Sequence, residues 1–140
     1  MWNEGTFSSR VRIWAIDRYD PEADLITPSL EARVPPIAAK TDGPPGSLPP
    51  MQSGVEISRK GVQVTALGPN PDGEGIILRL WEQAGQDGVC TVKLPEALQG
   101  HKARLCDLRG RPRETRIVIC NGLLDVPLTH FAPTSVVLMP

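Results

Sequence analysis

From Gly54 onward, short apolar runs alternate with clusters of Gly, Pro, Asn and Asp. The runs are Val55–Ile57, Val62–Leu67, Ile76–Glu82, Val89–Leu94, Lys102–Leu108, Glu114–Asn121, Leu123–Val126 and Ser135–Met139. The runs are short, and Val62–Leu67 and Ile76–Trp81 in particular are rich in β-branched residues, which predicts strands. The best-marked pair flanks the loop Gly68–Gly75. Pro69 and Pro71 remove backbone donors there, and its glycines permit turns of positive φ, so the stretch Gly61–Glu82 reads as a hairpin. Asn121–Gly122 is a tight-turn dipeptide. Gly85–Gly88 and Arg109–Pro112 read as further turns, and Pro95–Gly100 as one helical turn ended by glycine. Evenly spaced short strands with turn chemistry between them predict an all-β fold, an antiparallel β-sandwich of about eight strands.

The first part of the chain is patterned differently. In Arg10–Asp17, Val11, Ile13 and Ala15 alternate with Arg12, Trp14 and Ile16, which predicts another strand; Trp2–Phe7 reads as an irregular lead-in. Asp20–Met51 carries a proline every few residues, which blocks long helices and central strands alike. Leu25–Ile26, Leu30–Val34 and Ile37–Ala39 are candidate edge strands within it, and Thr41–Pro50 an exposed loop. Residues 1–53 are expected to drape over the sandwich of residues 54–140, the two together forming one domain.

Ile76–Trp81 is apolar on both faces except at Arg79, as suits a central strand. A buried guanidinium there needs a partner. Glu82, Asp87 and Asp107 are candidates, and a structural ion pair between Arg79 and Glu82 is the first expectation. Composition adds bounds. The 140 residues fit about one domain. Aromatics are 4%, so Val, Ile, Leu and Ala must fill the core. A net charge of −1 gives no bulk attraction to nucleic acid or an anionic membrane. No apolar run approaches the roughly 20 residues of a membrane helix. Met1–Arg10 does not pattern as a signal peptide.

Chemistry is sparse. Cys90, Cys106 and Cys120 sit in strand-like surroundings without metal-finger spacing, and buried free thiols are expected. His101 and His130 have no ligand at metal spacing nearby. The acids of DRYDPEAD (17–24) lack the ligand spacing of a calcium loop and read as a solvated turn. Arg109, Arg111, Arg113 and Arg116 form a basic patch without interleaved aromatics, which argues against nucleic acid. No nucleophile elbow, phosphate loop or dinucleotide fingerprint occurs. Trp14, Tyr19 and Trp81 are the candidates for stacking on a sugar ring, against the simpler reading of Trp14 and Trp81 as core residues.

The stretch VTALGPNPDGEGIILRLWE (64–82) resembles the C-terminal region of the α-mannosidase family of glycoside hydrolases, family 38. The resemblance continues through GQDGVCTVKL, ARLCDLRGRP and APTSVVLMP, covering about Gly54–Pro140, and more loosely through SLEARVPPIAAK. It implies a non-catalytic C-terminal β-sandwich. In that family the zinc, the nucleophile and the acid/base carboxylate belong to an α/β catalytic half. None of its catalytic residues maps onto this chain, so no catalytic residue and no cofactor are expected here, with zinc expected in the catalytic half. The implied partner is that half, docked on an apolar face that otherwise favours self-association into a homo-oligomer. An independent carbohydrate-binding module and an unrelated sandwich for protein contact are the alternatives. No compartment is implied.

Overall fold

The computed structural model describes residues 5–140 except 7, 10, 35, 41, 45 and 48–50. Among these described residues nine strands form two antiparallel sheets. They are β1 (Glu56–Ile57), β2 (Val62–Pro69), β3 (Ile76–Glu82), β4 (Gly88–Lys93), β5 (Lys102–Cys106), β6 (Pro112–Ile117), β7 (Ile119–Cys120), β8 (Leu123–Leu128) and β9 (Pro133–Met139). One sheet has the order β1-β4-β8-β7, the other β2-β3-β9-β5-β6. This is the all-β sandwich that the apolar pattern predicts.

Alternation builds the core. Leu124, Val126 and Leu128 of β8 point inward while the residues between them are exposed. Facing them are Leu78 and Leu80 of β3, Val136 and Leu138 of β9, and Ala103 of β5, with Cys90 and Val92 of β4 on the β8 side. Fully burying one such aliphatic side chain stabilises the fold by about 1.5–3 kcal/mol. Asn121 and Gly122 both have positive φ, 50° and 77°, the tight turn expected between β7 and β8. The expected strand Glu114–Asn121 is broken at Val118: β6 lies in the five-stranded sheet and β7 in the other. Pro95–Gly100 contains the expected helical turn, at Glu96–Leu98.

The outer face of the five-stranded sheet is partly covered by its own turns. The Asp107–Arg111 turn folds back over Ile77, with Arg79 donating to the Leu108 carbonyl and Asn70 Nδ2 to the Gly110 carbonyl at 3.1 Å. Gly110 has φ +86°, and a Cβ on it would collide with Asn70 Oδ1 and fall 2.7 Å from Ile77 Cδ1.

The N-terminal expectations change most. Residues 11–16 form no strand; Val11 and Ile13 are 77% and 90% exposed. Alternation makes a strand only where a sheet edge pairs with it, and none does. The candidate edge strands Leu25–Ile26 and Leu30–Val34 are instead helical: a π-helical turn at Pro21–Ile26 runs into helix α1 (Thr27–Arg33). Asp20 caps this segment through Oδ1, accepting from Glu22 N at 2.9 Å and Ala23 N at 3.4 Å. Pro21 follows in the first turn, where its missing N–H costs nothing. Thus 20–24 is a helix start rather than a simple solvated turn. Trp2, Phe7 and Arg10, and part of the Thr41–Pro50 loop, lie outside the described residues. Cys90 and Cys106 are buried free thiols as expected, whereas Cys120 is exposed on edge strand β7.

Candidate functional site

The end of β3 organises the best-defined site. Successive residues of a strand face opposite ways. Leu78, Leu80 and Glu82 therefore turn into the sandwich, all 0% exposed, while Arg79 and Trp81 lie on the outer face. This geometry overturns the Arg79–Glu82 ion pair: residues three apart on a strand cannot share a face. Arg79 Nε instead donates to Ser135 Oγ at 2.9 Å, in addition to its bond to Leu108. Glu82 pairs with Arg59, at 3.7 Å. Asp87 is engaged by His130, and Asp107 by the N–H groups of its own turn.

The buried Glu82 carboxylate is a tie for two loops. Oε1 accepts from Ala84 N at 3.0 Å, and Oε2 from Gly85 N at 2.9 Å and Phe131 N at 3.0 Å. Burial pushes its pKa up. The N–H groups of Phe131, Gln86, Gly85 and Ala84 together outweigh that and hold the carboxyl below its ordinary value. Glu82 is thus kept ionised by fixed donors, the reverse of a general acid with a raised pKa. Phe131 is held at φ 53°, and its carbonyl accepts from Trp81 Nε1 at 3.4 Å.

Above this tie runs a groove of about 360 Å³, lined by Ile26, Arg33, Gln63, Trp81, Gln83 and Phe131. Trp81 is 44% exposed and Phe131 66%. Gln63 is the cross-strand neighbour of Trp81, and its Oε1 accepts from Gln83 Nε2 at 2.8 Å. Two open aromatic faces, two amides and one guanidinium can stack on and hydrogen-bond a polar ring. The lining holds no carboxylate to cleave one.

Trp14 is 40% exposed in a second groove, of about 730 Å³, with Ser8, Arg12, Ser29 and Arg33; its Nε1 donates to the Asp24 carbonyl at 3.2 Å. Arg33 lines both grooves, so α1 brings the Trp14 and Trp81 surfaces next to each other. Tyr19, 59% exposed, lines neither. Neither Trp is a core residue. The sequence reading missed Phe131, Gln63 and Gln83. The strand register placed Gln63 opposite Trp81 and was the signal available; Phe131 had none, because its place depends on a left-handed turn residue.

Burial pushes the Cys106 thiol up, with neighbouring Asp107 adding to the rise, so it is a poor nucleophile. Among the described residues no group of three or more His, Cys, Asp or Glu is placed to hold a metal, and no helix is long and apolar enough to cross a membrane.

Fold and site together define an all-β sandwich with an aromatic-lined groove at the end of β3. Residues 61–133 match the C-terminal beta sandwich domain of glycosyl hydrolases family 38. The match runs from the residue before β2 to the first residue of β9, more than half of the chain, and the chain belongs to that family. No curated protein and no solved structure matches it.

Proposed function

We propose that this chain is the non-catalytic C-terminal sandwich of an α-mannosidase-type family 38 glycoside hydrolase, bracing the catalytic half in carbohydrate hydrolysis. The family match across the sandwich carries the reading. The employment of its acids supports it. Glu82 ties loops, Asp72 pairs with Arg109 at 2.8 Å, Glu56 with Lys93 at 3.3 Å, and Asp125 accepts from Thr91 at 2.6 Å. Carboxylates committed to such contacts are braces, not an acid and nucleophile facing each other across a cleft. Zinc belongs with the catalytic half in this reading.

Two measurements test it. The purified chain should not hydrolyse aryl α-mannosides with or without added zinc; turnover by pure material would sink the proposal. Co-expression with a family 38 catalytic half from the same source should raise the soluble yield of that half, and no effect would remove the bracing role.

The Trp81–Phe131 groove favours a second reading, an independent carbohydrate-binding module. Titrating manno-oligosaccharides against tryptophan fluorescence separates the two: a saturable change that disappears in Trp81→Ala assigns sugar binding to the groove, and no change leaves the bracing role alone.

A further inference from the structure

We propose that the groove beside β5 and β6 binds a small oxyanion of the phosphate-ester type, gripped by Arg104 and Arg116. The two arginines stand directly opposite each other in the β5–β6 register, so their side chains leave the same face of the sheet. Like charges so placed destabilise a sheet. Elsewhere this chain matches its cross-strand polar pairs. Glu56 faces Lys93 with 3.3 Å between the charges, and Thr91 faces Asp125 with a 2.6 Å hydrogen bond. Arg59 and Arg109 each have a carboxylate partner. Among the described residues no ion pair or side-chain hydrogen bond engages Arg104 or Arg116, and Glu114, two residues from Arg116 on the same strand, joins neither.

The space they border is about 390 Å³, and His101, Lys102 and Val118 share its lining, with no acid. That volume suits a small molecule. Each guanidinium presents a planar fork of donors. A carboxylate has two oxygens and satisfies one fork, whereas a tetrahedral oxyanion has acceptors for both. Val118, 79% exposed at the crossing from β6 to β7, offers an apolar wall to an organic group and so favours an ester over the free ion. The site is independent of the family 38 role.

Thermal melting and titration calorimetry test it, at constant ionic strength, with inorganic phosphate and a hexose phosphate as probes and sodium chloride as the control. Wild type should gain about 5 °C in Tm at ten times Kd over the chloride control. A tighter hexose phosphate identifies an ester as the source, and equal or tighter inorganic phosphate a free anion. Arg116→Gln should melt no lower than wild type without ligand, since a repulsion is removed, and should lose the ligand shift. Arg116→Lys keeps the charge without the fork and should bind at least about tenfold more weakly. A wild-type shift no larger than that in chloride, or an equal shift in both variants, overturns the proposal. So does a ligand-free Arg116→Gln that melts well below wild type.

Discussion

Glu82 shows how one residue type serves opposite ends. A carboxylate at the inner face of a sandwich is costly unless donors are built around it, and here three backbone N–H groups and Arg59 converge on it. Glu82→Gln keeps the shape but turns an amide N–H toward backbone N–H groups. We expect a loss of about 2–4 kcal/mol in urea denaturation; a loss below about 0.5 kcal/mol would mean that the donors are satisfied without the carboxylate. The pH dependence has a definite sign. The folded carboxyl lies below its ordinary value, so the unfolded chain binds the proton more readily. Its stabilisation is therefore full above the ordinary glutamate range and lost as pH falls through the lower folded value. Asp87, lowered chiefly by the His130 N–H, and Asp107, lowered chiefly by the Arg111 N–H, slope the same way. Glu82→Gln should flatten the fall in stability on acidification relative to wild type. Arg79 was legible as a residue needing a partner, but not which one. The pairing with Glu82 fails on strand parity alone, while Ser135 and Leu108 become neighbours only through the β3–β9 register and a folded-back turn.

At the scale of elements, the strands were legible because each carries its own turn chemistry. Asn121–Gly122 and the Pro- and Gly-rich Gly68–Gly75 loop fix their hairpins locally. The helical segment at 21–33 was hidden by its prolines. Proline frequency argues against helix interiors, yet Pro21 and Pro28 stand in first turns, where proline is tolerated, and Asp20 supplies the cap. The Asp107–Arg111 turn was visible as a turn, but its fold over Ile77 depends on Asn70, 40 residues away. That fold leaves no room at Gly110. Gly110→Ala should cost about 1–3 kcal/mol through the left-handed φ and the clash with Asn70, read from the denaturation midpoint. A neutral result would show the turn free to lift from the sheet.

At the scale of the molecule, the two sheets are laced at both sides. One side passes from β1 to β2 through residues 58–61, the other from β6 to β7 through Val118. The described residues of 1–53 take no part in that lacing. Helix α1 has no buried residue and meets the sandwich along the Trp81 groove. The proposal that residues 1–53 and 54–140 form one domain therefore makes a moderate demand. Residues 54–140 alone should fold, with a Tm lowered by only a few degrees and with Trp81 more exposed to acrylamide quenching. Failure to fold would show that the N-terminal segment is part of the core. The family was legible from the β2–β3 stretch because spacing and turn residues there form a signature. Which surface meets a partner was not, because that depends on what covers each face.

β9 follows every other strand in the sequence, yet it lies between β3 and β5. During synthesis the five-stranded sheet can exist only as two separate hairpins, β2–β3 and β5–β6, whose inner edges wait for one late strand. Until Val136–Leu138 are in place, β3 and β5 each keep an open sheet edge. Closure of the five-stranded sheet is in this sense a single event that waits on β9.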